Sequence, residues 1–141
     1  MDVQVVDLFN GCGGMSQGFA QAQCDAVTFE LAGAMDTDRH ANATYARMLG
    51  VEPLEMDVRE LTTTQGLDAA VHTWGLDPQK RLVLIGCAPC QGFSSHRKKD
   101  RRADSRNGLL EAFAAVVAAL RPAMVVMENV TKIKTFTFQG L

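Results

Sequence analysis

The pattern of apolar runs predicts an α/β fold, a doubly wound and mostly parallel sheet. Short β-branched runs alternate with segments of helical periodicity along the 141-residue chain. Such alternation needs crossover connections, which put helices on both faces of a parallel sheet. In addition, glycine-rich, acidic or thiol-bearing segments recur where each apolar run stops. In an open parallel sheet that carboxyl edge is where ligands bind.

Val3–Phe9 is a β-branched run feeding the glycines Gly11, Gly13 and Gly14, which reads as a buried strand and a tight turn. Met15–Gln23 follows as a short helix, with Phe19 and Ala22 on one side. Val27–Met35 is the second strand, closed by Asp36, and Asp38–Leu49 is a helix whose Ala41, Tyr45 and Met48 share a face. Glu52–Met56 is the third strand, ending at Asp57, and Thr64–Trp74 is a helix. Arg81–Ile85 is the fourth strand, closed by Gly86. Gly108–Leu120 is the clearest helix, with Asn107 as its cap and an apolar stripe of Leu109, Leu110, Phe113, Val116, Val117 and Leu120. Pro122 stops it, and Ala123–Met127 is the fifth strand.

The length suits one domain, residues 1–141, and 47% apolar content supports a core. Low hydrophobicity and high net charge, the marks of disorder, are absent. No apolar run approaches the ~18 residues of a membrane span. Met1 is followed by Asp2 without a leader, so a soluble cytoplasmic protein is expected, or a nuclear one if the source is eukaryotic. Cys12, Cys24, Cys87 and Cys90 are too few for a disulfide scaffold. Residues 1–60 carry a net −7 and residues 61–141 a net +5. A uniformly basic nucleic-acid binder is excluded, but a locally basic edge is not. The loop from His96 to Asn107 opens with five Arg or Lys in seven residues. It reads as a solvated loop or, given its place after Cys90, as a phosphate contact.

The glycine turn allows close backbone approach to a ligand, and an acid at the second strand end suits ribose hydroxyls. A tight turn without a ligand, with Asp36 and Asp57 as helix caps, is the alternative. In Ala88-Pro89-Cys90-Gln91-Gly92-Phe93-Ser94, a thiol held after a strand by Pro and Gly reads as a nucleophile. Against this stand a buried structural thiol and a redox pair, since Cys87 and Cys90 form C-x-x-C. Zinc would need two more ligands, and Cys12 and Cys24 lie 12 positions apart, so no metal is expected. These two thiols read as small packing residues. Glu128 follows an apolar strand, where a carboxylate is either protonated and able to donate a proton, or a cap or surface acid. His40 and His72 read as surface or packed residues, and His96 as merely polar.

With these residues in place, the chain resembles the DNA cytosine-5 methyltransferase family. Asp7-Leu8-Phe9-x-Gly11-x-Gly13-Gly14-x-x-x-Gly18-Phe19 is similar to its first motif, Pro89-Cys90-Gln91-Gly92-Phe93-Ser94 to its nucleophile motif, and Glu128-Asn129-Val130 to the motif of its catalytic glutamate. Asp104-x-Arg106-x-x-Leu109 is similar to the segment between them. The resemblance implies a Rossmann-like S-adenosylmethionine-dependent methyltransferase fold, ending after about five strands, acting on DNA, with RNA the other possible substrate. Asp7, Phe9, Gly11, Gly13 and Gly14 would line the cofactor site, Asp36 would take the ribose hydroxyls, Thr37 would stand at the position that often packs on the adenine, and Asp57 and Val58 would flank the adenine. Cys90 would attack carbon 6 of a flipped-out cytosine, Glu128 would hold the base edge and assist protonation at ring nitrogen 3, and Pro89, Gln91, Ser94, Asn129 and Val130 would contact the base. Departures from the family pattern are Cys87-Ala88 before the nucleophile motif, Thr37 in place of a bulkier residue and Asp36 in place of the commoner Glu. The target-recognition region and later motifs are absent, so the chain is expected to be the N-terminal portion of the catalytic domain, dependent on a complementing C-terminal half. The rival class is a thiol redox or nicotinamide-binding domain, and the third a binding remnant without catalysis.

Overall fold

The computed structural model describes residues 1–22, 26–88 and 107–129. Strands Asp2–Leu8 (β1), Thr28–Asp36 (β2), Leu54–Glu55 (β3), Arg81–Gly86 (β4) and Met124–Met127 (β5) form one parallel sheet in the order β3-β2-β1-β4-β5. The helices are Gly14–Gln21 (α1), Arg39–Leu49 (α2), Thr64–Trp74 (α3) and Asn107–Leu120 (α4), with a 3₁₀ helix at Val58–Thr62. The expected doubly wound sheet is therefore present. The chain order reverses between β2 and β4 on either side of β1, which opens a crevice at the carboxyl edge.

Alternation along β1 explains both cores. Val6 and Leu8, with Leu84 of β4, pack under Leu61, Ala70, Trp74, Phe113 and Val116 from the 3₁₀ helix, α3 and α4. Val3 and Val5, with Val83 and Ile85, pack against Met15 and Phe19 of α1. A strand covered on both faces must be apolar on both, hence the nearly continuous run. Near its middle, β2 carries a bulge: Val5 pairs with Leu31 but Val6 with Gly33, so Ala32 is an extra residue. The Trp74 ring lies on Gly33, where an added Cβ would stand 2.3 Å from the indole.

Local chemistry sets the helix ends. Asp38 caps α2 by accepting from the backbone N–H of His40 and Ala41, and Thr63 caps α3. Gly50 and Gly75 close the same helices in the left-handed region. Arg121 closes α4 at φ 47°, immediately before Pro122.

Several expectations are corrected. The first helix stops at Gln21, and Ala22 is exposed beyond it. Met48 is 67% exposed; the buried face of α2 is Asn42 and Tyr45, because the glycine turn and α1 sit on that side. The third strand shrinks to Leu54–Glu55, and the 3₁₀ helix after it was not anticipated. Asn107 is the first residue of its helix, not a residue before it. Cys12 is exposed, not packed, because the turn carries it outward. The fifth strand begins at Met124 and is largely open to solvent, with Met124 57% and Val125 40% exposed, while Val126 packs against the Val83 and Ile85 core. Among the described residues no helix is long and apolar enough to cross a membrane.

Candidate functional site

At the carboxyl ends of β1 to β4 lies a cleft of about 360 Å³, lined by Phe9, Gly11, Met35, Asp36, Thr37, Met56, Asp57, Val58, Arg59, Cys87 and Leu109. Six of the nine residues named for the cofactor meet there: Phe9, Gly11, Asp36, Thr37, Asp57 and Val58. A second depression of about 380 Å³ lies at the opposite edge, between Gln4, Lys80 and Arg121, and none of the named residues lines it.

The turn after β1 is held from behind. The backbone N–H groups of Phe9 and Asn10 both donate to the Met35 carbonyl, at 3.0 and 3.1 Å. Phe9 then takes φ 71°, in the left-handed region that a bulky residue avoids, and its ring meets that of Phe113 at 6.3 Å between centroids. Gly11, at φ 49°, has open space where a side chain would start, so its backbone borders the cleft directly. Gly13 has a different duty. At φ 90° its missing Cβ makes room for Tyr45 and Leu49, each 2.8 Å from where that atom would be. Gly13 and Gly14 open α1 behind the cleft instead of lining it.

Asp36 ends β2 at the cleft. Its Oδ2 accepts from the Gly11 N–H at 2.9 Å and its Oδ1 from the Asp38 N–H at 3.0 Å. A carboxylate offers about four acceptor sites, so one remains on each oxygen, the pattern a vicinal diol can fill. It is not the cap of α2; Asp38 is. Asp57 does cap its helix. It accepts from the Arg59 N–H, and Glu60 accepts in return from the Asp57 N–H, a reciprocal capping box. Cap and cleft wall thus coexist in one residue. The Arg59 guanidinium holds the Asp57 carboxyl below the usual carboxylate range. Apolar Phe9, Met35, Met56, Val58 and Leu109 complete the walls.

Asp7 lies outside the cleft, buried beneath the turn. Ser16 donates to its Oδ2 at 2.5 Å, and the Tyr45 hydroxyl donates to Ser16 at 2.9 Å. All three residues are buried. Burial pushes the Asp7 carboxyl up to about 7, against the Ser16 hydrogen bond, with the charge of Asp36 adding to the rise. Burial likewise pushes the Tyr45 hydroxyl up to about 12.

On the other side, Met127 pairs with Gly86, the Glu128 N–H donates to the Gly86 carbonyl at 3.2 Å, and Asn129 Nδ2 donates to the Ala88 carbonyl at 3.2 Å. Glu128 is therefore fixed by its backbone beside Gly86, the end of β4, three residues before Pro89. Its side chain is exposed, which favours the surface-acid reading of its environment over the buried one. Pro89, Cys90, Gln91, Ser94, Val130, Cys24, His96 and the basic loop lie outside the described residues. His40 and His72 are exposed. Among the described residues no group of three or more His, Cys, Asp or Glu is placed to hold a metal ion.

Sequence reasoning missed Met35, Met56, Arg59, Cys87 and Leu109 as cleft residues. Arg59 had a signal, since Asp57-x-x-Glu60 spells a cap and the residue inside it stays near the capping carboxylate. Cys87 and Leu109 stand in segments singled out for other reasons, the C-x-x-C pair and the Asp104-x-Arg106-x-x-Leu109 stretch, whereas Met35 and Met56 had no signal beyond their strand patterns.

A profile of the family described as C-5 cytosine-specific DNA methylase matches residues 3–139. The type II methyltransferase M.HgiDI of Herpetosiphon aurantiacus is 38% identical over 92% of this chain, which spans 38% of that protein. M.HgiGI of the same organism is 37% identical over 92% of both chains. M.DdeI of Desulfomicrobium norvegicum is 32% identical, and this chain spans 28% of it. The crystal structure of a DNA modification methyltransferase encoded within an E. coli prophage superposes with TM-score 0.70 at 32% identity, over 93% of this chain and 33% of that one. An S. pombe Dnmt2 methyltransferase superposes with TM-score 0.66 over 94% of this chain and 37% of that one, a likeness of fold at 22% identity. The strand order, the cleft behind the glycine turn and the profile over residues 3–139 agree: the chain belongs to the C-5 cytosine-specific DNA methylase family.

Proposed function

We propose that this chain binds S-adenosylmethionine and carries the nucleophile of a DNA cytosine-5 methyltransferase, of the type II kind found with restriction systems and acting in the cytoplasm. The observation that carries the reading is the meeting of Phe9, Gly11, Asp36, Thr37, Asp57 and Val58 in one cleft. Asp36 takes the ribose diol on its two remaining acceptor sites, and Asp57 and Val58 flank the adenine. Bound there, the cofactor supplies an electrophilic methyl group.

A cytosine inside a duplex is out of reach and must be flipped into the pocket. The Cys90 thiolate adds to carbon 6 as the Glu128 carboxyl gives a proton to ring nitrogen 3, a proton it recovers when the thiolate leaves. Carbon 5 thereby becomes nucleophilic and accepts the methyl group. Loss of the carbon 5 proton to a base then expels the thiolate and restores the ring. The short link from Gly86 to Cys90, together with the bond between the Glu128 N–H and the Gly86 carbonyl, supports placing both groups at one edge. Pro89, Gln91, Ser94, Asn129 and Val130 border the base.

The chain works with a C-terminal part that supplies base reading and closes the pocket. Support comes from the open outer side of β5, where Met124, Val125 and Met127 are exposed, and from M.HgiDI and M.DdeI, which are roughly three times as long, whereas M.HgiGI is about the length of this chain. Positioning dominates such catalysis, so the chain alone is expected to transfer little. The test is transfer of labelled methyl groups to cytosine-containing DNA, with and without the C-terminal part of a relative. Restored transfer that Cys90→Ala abolishes and Cys87→Ala preserves supports the reading. Loss on Cys87→Ala as well would favour a redox pair, and strong transfer by the chain alone would overturn the need for a second part.

A further inference from the structure

Arg59 stands on the cleft wall beside Asp57 and grips its carboxylate as a fork. Nε donates to Oδ1 at 2.8 Å and a terminal nitrogen donates to Oδ2 at 2.5 Å. The Arg59 backbone N–H adds a bond to Oδ1 at 2.9 Å. Capping the 3₁₀ helix needs only the backbone bond, so the guanidinium is surplus to it. Stability does not explain the fork either, since the Arg59 side chain is 54% exposed and such pairs contribute little. What the fork does achieve is geometric. A planar guanidinium meeting both oxygens fixes the plane of the carboxylate. With about two acceptor sites on each oxygen, Oδ1 is filled and one site is left on Oδ2.

We propose that Arg59 is a positioning residue that presents the last acceptor site of Asp57 to the amino group of adenine, so that the cleft selects a 6-amino purine over a 6-oxo one. The inference rests on the cofactor reading above. Adenine carries a donor at that atom, whereas hypoxanthine carries an acceptor, which an ionised carboxylate repels. The same arginine keeps Asp57 ionised and therefore unable to donate. Glu60 adds a second restraint by accepting from the Asp57 N–H at 2.9 Å.

The test is calorimetric titration of the chain with S-adenosylhomocysteine and with its 6-oxo analogue. The unsubstituted chain is expected to prefer the adenosyl compound. Arg59→Met should weaken that compound about fivefold and leave the analogue nearly unchanged, shrinking the preference by the same factor. Arg59→Lys keeps the charge without the fork and should lose most of the preference too. Equal weakening of both ligands would make Arg59 a structural residue and overturn the inference, as would full preference in Arg59→Lys. No binding of either ligand by the unsubstituted chain would overturn the cofactor reading, and this inference with it.

Discussion

Asp7 is a carboxyl in the wrong place for water: buried, with Ser16 donating to it and the charge of Asp36 nearby. Its proton affinity makes a pH signature. Below about 4 both folded and unfolded chains hold the proton. Between its ordinary 3.8 and about 7 only the folded chain does. Stability is therefore full below about 4 and falls as pH rises toward 7. The loss amounts to about 4 kcal/mol at most, and is complete above that. Asp7→Asn, which can still accept from Ser16, is expected to flatten this decline in urea titrations from pH 4.5 to 8. An equal slope in the variant would place the linkage on other groups. The two turn glycines separate in the same spirit. Gly13→Ala meets a positive φ and the side chains of Tyr45 and Leu49, and should cost about 3 kcal/mol. Gly11→Ala meets only the φ strain, so it should cost about 1 kcal/mol while weakening S-adenosylmethionine binding. Thermal melts paired with calorimetry distinguish the two, and a large loss of stability at Gly11 would contradict the assignment.

The packing of α3 on β2 turns on one missing atom. A methyl group at Gly33 would collide with the Trp74 ring at 2.3 Å, so Gly33→Ala should destabilise by about 2–3 kcal/mol. Trp74 is the chain's single tryptophan, so its fluorescence reports the displacement directly. In a Trp74→Ala background the same change should cost far less, and simple additivity would refute the contact. These elements also show what a sequence can disclose. Strand and helix identities were legible because the apolar period changes from run to run, and the cleft was legible because Gly11, Asp36 and Asp57 sit where runs stop. The face of α2 was misread because its buried side includes polar Asn42, which bonds the Asp36 carbonyl, while apolar Met48 faces out. The Tyr45–Ser16–Asp7 chain had no local signal at all, since its partners are 29 and nine residues apart. Such contacts belong to the tertiary fold, not to any window of sequence.

The chain divides its charge along its length. The acidic residues 1–60 build β1, β2, β3 and most of the cleft, while residues 61–141, net positive, supply β4 and β5. Among the described residues that half holds Lys80, Arg81 and Arg121 against Asp68, Asp77, Glu111 and Glu128, so its positive balance comes from the Arg and Lys of 97–106, 132 and 134, outside them.

That division also has a history in time. β1 is the central strand, paired in parallel to β2 across the crossover that holds α1, and to β4 only after residue 81 has been made. At ribosomal speeds of about 5–20 residues per second, the partner on that flank arrives seconds after the first strand-helix-strand unit is possible. Throughout that interval Val3–Leu8 presents an apolar, unpaired edge to whatever is nearby. Nascent chains arrested near residue 75 should therefore recruit holding chaperones or aggregate, and those released past residue 130 should not. Equal behaviour at the two lengths, read by pelleting of stalled ribosomes, would mean that the early half shields itself.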